Sequence, residues 1–218
     1  MNKYIDHTLL KPQSTSQEII NLCNEAKKYD FKSVCINPTW VSLASKELAG
    51  TDVLTCTVVG FPLGATSTES KAFETQQAIK DGAGEIDMVL NIGALKSEDF
   101  DTVKNDVAEV VKAANGVTVK VILETCLLSD EEITKASKLC VEAGAHFVKT
   151  STGFSTHGAT VEAVKLMAAA VEGKAEIKAS GGVRSAEDAK KYLDLGVTRL
   201  GTSSGVAIME GQESNSSY

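Results

Sequence analysis

Along the chain, short apolar runs rich in β-branched residues alternate with stretches in which apolar residues recur every three or four positions. The runs are "DHTLL" (6–10), "SVCINP" (33–38), "VLTCTVVGF" (53–61), "GEIDMVLNIG" (84–93), "TVKVILET" (118–125), "HFVKTST" (146–152), "AEIKASGG" (175–182) and "TRLGTSS" (198–204). Their length and composition read as eight strands. Between them the period changes. In "SEDFDTVKNDVAEVVKAAN" (97–115), Phe100, Val103, Val107, Val110, Val111 and Ala114 fall on one face, which predicts an amphipathic helix. "SDEE" (129–132) has the spacing of a capping box, and Gly144 stands where the helix it opens should stop.

A weak repeat runs through this alternation. "DGAGEIDM", "EAGAHFVK" and "DLGVTRLG" each put an acidic residue and a glycine just before a strand. Gly82, Gly144 and Gly196 are 62 and 52 residues apart, about two of the roughly 30-residue units that a βα crossover needs. Eight such units fill the chain. The strands read as apolar on both faces, as parallel strands covered by helices should. The expected fold is therefore α/β, a single-domain (β/α)8 TIM barrel over residues 1–210, followed by a flexible polar tail over 211–218.

Composition agrees with one large domain: 218 residues, 43% hydrophobic and only 5% aromatic, suit an aliphatic core. A net charge of −7 argues against nucleic-acid or membrane partners, because no basic stripe exists to meet phosphates in series. No apolar run reaches membrane-spanning length, and "MNKYIDHTLL" lacks the apolar core and cleavage site of a signal peptide, so a cytoplasmic location is expected. Five cysteines without a C-x-x-C pair and three histidines (His7, His146, His157) without ligand spacing lead us to expect neither disulfides nor a metal. No cofactor is expected.

In such a barrel the chemistry lies at the C-terminal ends of the strands. The polar residues there are Asp6 and His7, Cys35 and Asn37, Asp87 and Asn91, Glu124 and Thr125, Lys149, and Lys178. Two lysines on adjacent strands stand out. If both point into the mouth, each disfavours protonation of the other and partial burial acts the same way. A free lysine, with a pKa of about 10.4, is neutral in roughly one molecule in 2,500 at pH 7, so a depression of about three units would raise the nucleophilic fraction several hundredfold. Asp87 would hold one lysine charged and relay protons. A lone strand-end lysine is more often solvated or salt-bridged. Lys120 illustrates that, since it comes early in its strand and reads as an ion-pair partner inside or below the barrel.

A second constellation is glycine- and serine-rich. "ASGGVRS" (179–185) and "GTSSGV" (201–206) follow the last two strands, where backbone N–H groups of Gly181, Gly182, Ser203 and Ser204 would cradle a phosphate, with charge from Arg184. The expected substrate is a phosphorylated aldehyde or ketone.

Across essentially the whole chain, "IDHTLLKP", "GEIDMVLNIG", "KVILET", "FVKTSTGF", "IKASGGVR" and "LGTSS" resemble the deoxyribose-phosphate aldolase family. The resemblance implies a class I, metal-free aldolase that reversibly cleaves 2-deoxy-D-ribose 5-phosphate to acetaldehyde and D-glyceraldehyde 3-phosphate in deoxynucleoside breakdown. It assigns the Schiff base to Lys149, its perturbation to Lys178 and proton transfer to Asp87, the trio already chosen from strand position. It extends phosphate contacts to Thr150, which follows the nucleophile, and places Asp6 beside the lysines, where a structural ion pair is an equal alternative. A terminal tyrosine recurs in the family, so Tyr218 becomes a candidate proton shuttle. Cys35 reads as a small buried hydrophobe and Trp40 as packing at the start of the second helix. A homodimer is expected. The competing readings are another lysine-dependent phosphosugar aldolase, a phosphosugar isomerase with a carboxylate base, and a non-catalytic phosphosugar-binding barrel.

Overall fold

A computed structural model describes residues 1–212. Residues 213–218, which include Tyr218 and most of the polar tail, lie outside the described residues. All eight expected strands form: β1 (Ile5–Leu9), β2 (Ser33–Ile36), β3 (Leu54–Val59), β4 (Glu85–Val89), β5 (Thr118–Ile122), β6 (Phe147–Lys149), β7 (Glu176–Ser180) and β8 (Arg199–Thr202). Every neighbouring pair is parallel and β8 closes onto β1, giving a closed eight-stranded barrel. The outer layer contains α1 (Ser16–Tyr29), α2 (Val41–Glu47), α3 (Thr68–Lys80), α4 (Ile92–Lys96), α5 (Phe100–Ala114), α6 (Asp130–Glu142), α7 (Val161–Val171), α8 (Ala186–Leu193) and the short α9 (Gly205–Met209). None of the described helices is long and apolar enough to cross a membrane.

Local signals set these boundaries. Ser129 and Glu132 form the reciprocal capping box at the start of α6, Thr15 and Glu18 form another at α1, and Gly144 adopts φ +87° just beyond α6. On α5, Val103, Val107, Val110 and Ala114 are buried while Phe100 and Val111 are partly buried against the core. One polar residue joins that face. Asp106 is fully buried because Lys71 of α3 meets it at 2.6 Å and Thr68 donates to it at 2.9 Å. The Lys71 ammonium also donates to the carbonyl of Val89 at 3.0 Å, tying α3 and α5 to the end of β4. Trp40 sits immediately before α2, partly buried against the core.

The expectation that both strand faces are apolar holds on the outside and, inside, for a small cluster of Leu10, Cys35, Cys56 and Val58. Outward residues such as Val34, Ile86, Val121, Val148 and Leu200 pack with the helices in one continuous core. Their neighbours along each strand point inward and are largely charged or polar: Asp6, Ser33, Glu85, Asp87, Lys120, Lys149, Lys178 and Arg199. The apolar shell supplies the burial that holds the barrel closed. The interior polar groups persist because they pair with one another.

Candidate active site

Strand register assembles the inner cluster. Asp87 lies beside Lys120 across β4 and β5, Lys149 beside Lys178 across β6 and β7, and Lys178 beside Arg199 across β7 and β8. Asp87 is the hub. One carboxylate oxygen, Oδ2, accepts from Lys149 Nζ at 2.8 Å and from Lys178 Nζ at 2.7 Å, while Oδ1 accepts from Lys120 at 2.9 Å. Lys178 also meets Asp6 at 2.5 Å, and Arg199 links Asp6 Oδ1 (2.9 Å) to Glu85 (2.6 Å). Lys120 meets Glu85 at 2.7 Å, in keeping with its expected role as an interior ion-pair partner.

Among the described residues, four cations of this cluster (Lys120, Lys149, Lys178, Arg199) face three carboxylates (Asp6, Glu85, Asp87). In a low-dielectric interior an unmatched charge is costly, so the set is electroneutral when one lysine is an uncharged amine. Lys149 stands apart from the other members. It is 3% exposed, whereas Lys120 and Lys178 are at 0%, and it meets one carboxylate where each of the others meets at least two.

The electrostatics of Lys178 depart from the sequence expectation. Burial pulls its pKa down, but the Asp6 and Asp87 carboxylates outweigh burial and hold it well above the ordinary lysine value. Burial likewise pulls Lys120 down and Asp87 overcomes it. For Asp87, burial raises the pKa, yet Lys120, Lys149 and Lys178 drive it well below the carboxylate range; Lys178, Lys120 and Arg199 do the same for Asp6. These depressed carboxylates stabilise the fold above their unfolded pKa of about 3.9, and that stability is lost as pH falls through the lower folded values. Lys178 has the opposite sign: its contribution is complete below about pH 10.4 and fades as pH rises through its folded value. Urea unfolding is thus expected to give a stability plateau between about pH 5 and 9, with losses below about pH 4 and above about pH 10. A major loss centred near pH 6 would contradict this.

Beyond β7 and β8 lies a cavity of about 280 Å³ lined by Gly153, Ser155, Thr156, His157, Gly158, Gly181, Gly182, Val183, Arg184, Thr202 and Ser203. Gly181 and Gly182 adopt φ +81° and +84°, which a Cβ would strain, and a side chain on Gly158 would sit 2.2 Å from the Gly181 carbonyl. Close backbone approach therefore shapes the cavity. Asp188 fixes the turn by accepting from the Arg184 N–H at 3.1 Å, leaving the exposed guanidinium chain at the rim.

Several expected positions differ. Thr150 is not on this wall: its buried hydroxyl donates to the Ser180 carbonyl and accepts from the Ser180 N–H, both at 3.1 Å, stitching β6 to β7. Ser204 lines a separate pocket with His7 and Glu25, and its N–H donates to the Thr202 hydroxyl. His7 points outward, packs at a tilt against Phe31 and meets Glu25 at 2.6 Å, because alternation along β1 gives the interior to Asp6. Asn37 donates to the Leu10 carbonyl, and Asn91 caps α4. Cys35 is fully buried beside Leu10, Cys56, Val58 and Phe61. Glu124 holds a left-handed φ of +57° and accepts from the Thr152 N–H and hydroxyl, fixing the loop after β6.

Sequence reasoning missed Glu85, Arg199 and Cys56 in the cluster and the wall formed by residues 155–158. Glu85 had a signal: it shares the strand face of Asp87, two residues away. Two triads, Cys35/Cys56/Asp87 and Asp6/Cys56/Glu85, bring potential metal-ligand atoms within 4.8 Å. Every carboxylate in them is already ion-paired, so a divalent cation there would have to displace lysine or arginine.

Residues 1–210 match the model of the DeoC/LacD family of aldolases. The chain is 59% identical over 218 residues to the deoxyribose-phosphate aldolase of Streptococcus sanguinis, covering 100% of this chain and 99% of that protein. It is 61% identical over 216 residues to that of Staphylococcus epidermidis, covering 99% and 98%. The tetrameric deoxyribose phosphate aldolase of Aeropyrum pernix superimposes with a TM-score of 0.89 at 36% identity, covering 96% of this chain and 89% of that one. With matches of this extent and identity, the chain belongs to the DeoC/LacD aldolase family.

Proposed function

We propose that this enzyme reversibly cleaves 2-deoxy-D-ribose 5-phosphate to acetaldehyde and D-glyceraldehyde 3-phosphate through a Schiff base on Lys149. The observation that carries the mechanism is the sharing of Asp87 Oδ2 by Lys149 and Lys178, at 2.8 and 2.7 Å, beside a glycine-lined anion cradle. The charge count leaves Lys149 as the free amine that attacks the C1 aldehyde of the open-chain sugar. Asp87, within reach of the same nitrogen, shuttles the protons needed to expel water and form the protonated imine. That imine is the electron sink. Loss of the C3 hydroxyl proton breaks the C2–C3 bond and releases glyceraldehyde 3-phosphate. The remaining two-carbon enamine takes a proton at C2, and hydrolysis returns acetaldehyde and the free lysine.

Lys178 and Asp6 act here by setting charge: their pair holds Lys178 cationic next to the reacting nitrogen. Gly181, Gly182, Ser203 and the Arg184 guanidinium hold the phosphate. Tyr218, outside the described residues, is assigned the role of proton shuttle to the enamine carbon. We further assign the enzyme to the cytoplasm as a homodimer, for which the exposed Leu63 and Phe73 offer apolar surface. Products distinguish this activity from isomerisation. With 2-deoxyribose 5-phosphate in EDTA, equal amounts of acetaldehyde and glyceraldehyde 3-phosphate are expected, at the rate seen without chelator. A ketose phosphate product, or activity recovered only with added metal, would contradict the proposal.

A further inference from the structure

Between the lysine cluster and the anion cradle stands one residue that the mechanism leaves idle. Ser180 ends β7, two positions beyond Lys178 and immediately before Gly181. Its main chain is engaged: the N–H donates to Thr150, and the carbonyl accepts from Thr150 and from the Ala159 N–H. Its side chain is not. The residue is 1% exposed, and its hydroxyl has no partner among the described residues. A buried polar atom without a partner is uncommon enough to call for an explanation.

The direction of this hydroxyl is fixed by Gly201, its register neighbour on β8. A Cβ placed on Gly201 would lie 2.2 Å from Ser180 Oγ and 3.1 Å from Lys178 Cε. The absent side chain thus leaves room for the hydroxyl inside the barrel, on the face that carries the Lys178 side chain. Resting on the proposed function, the substrate's path follows from its two ends: C1 is bonded to Lys149, and the phosphate on C5 lies in the cradle. The C3 hydroxyl loses its proton in the cleavage step. One further polar group, the C4 hydroxyl, remains along this path.

We propose that Ser180 is a specificity-determining residue that hydrogen-bonds the C4 hydroxyl of the sugar, which is the C2 hydroxyl of glyceraldehyde 3-phosphate. A serine hydroxyl both donates and accepts, as does the hydroxyl it would meet. A site organised to bond a substrate hydroxyl discriminates against the analogue that lacks it, because its own polar group is then left unpaired.

The test is aldol addition of acetaldehyde to two acceptors, D-glyceraldehyde 3-phosphate and 3-oxopropyl phosphate, which lacks only that hydroxyl. For Ser180→Ala, kcat/KM with glyceraldehyde 3-phosphate is expected to fall about tenfold, while the value with 3-oxopropyl phosphate stays within about twofold. Its thermal midpoint should be equal to or above that of the parent, because an unpartnered buried hydroxyl is removed. Equal losses on both acceptors, or no loss on either, would overturn the proposal. So would the same selective loss in Ser151→Ala without one in Ser180→Ala, since Ser151, two residues beyond Lys149, is another buried hydroxyl without a partner among the described residues. If the parent enzyme adds acetaldehyde to glyceraldehyde 3-phosphate but Ser180→Ala matches it, this inference fails alone; if the parent adds it to neither acceptor, the proposed activity fails and takes the inference with it.

Discussion

Lys178→Met should lower stability by about 3–5 kcal/mol and abolish most turnover, although the residue forms no bond with substrate in the proposed cycle. Its ammonium contacts Asp6 at 2.5 Å and Asp87 at 2.7 Å with no solvent exposure. Removing it leaves three carboxylates matched by Lys120, Lys149 and Arg199, so the cluster is neutral only when Lys149 is an ammonium, which is no nucleophile. The sequence alone predicted only that Lys178 perturbs Lys149. The structure adds the stability cost, because the interior pairs are nearly free of solvent. Charge matching also specifies a rescue: Asp6→Asn combined with Lys178→Met removes one charge of each sign and should recover part of both stability and turnover. Urea titration and kcat/KM for the single and double variants check this. A folded Lys178→Met enzyme with near-parent turnover, or a double variant no better than the single one, would contradict charge matching.

Much of this arrangement was legible in the sequence. The eight β-branched runs, the capping box at 129–132 and the apolar face of α5 are local signals, and local signals decide element type. Lys149 and Lys178 stood out for the same reason, since strand ends in a barrel face the mouth. Facing is less local. Asp6 and His7 are adjacent, and only pairing with Lys178, 172 residues away, shows that Asp6 takes the interior. The Glu85–Arg199 bond joins residues 114 apart and leaves no periodic trace. With only three residues in β6, alternation does not extend far enough to orient the segment after Lys149. Thr150 and Ser204 show a further limit: a hydroxyl near a phosphate turn bonds whichever backbone group tertiary packing brings closest, here Ser180 for Thr150. The cavity wall at 155–158 depends on the contact between Gly158 and Gly181, which becomes visible only after the chain has folded.

The mirror case to Lys178 is the nucleophile itself. Lys149→Met removes the one basic group in excess of the carboxylates, leaving Lys120, Lys178 and Arg199 against Asp6, Glu85 and Asp87. Stability should therefore stay within about 1 kcal/mol of the parent, as expected for an approximately volume-conserving replacement that creates no unmatched charge. Turnover should fall by roughly 10⁵-fold or more, the scale seen when a covalent nucleophile is removed. The two substitutions leave the same charge count, three cations against three carboxylates, and differ in contacts: Lys178 takes ion pairs to both Asp6 and Asp87 with it, Lys149 only the one to Asp87. The most direct measurement is peptide mass spectrometry after borohydride reduction in the presence of acetaldehyde, with the parent enzyme and Lys149→Met treated side by side. One reduced two-carbon unit on Lys149, and none on any lysine of Lys149→Met, is the expected result; a parent enzyme labelled at Lys178 or Lys120 instead would contradict the assignment of the Schiff base.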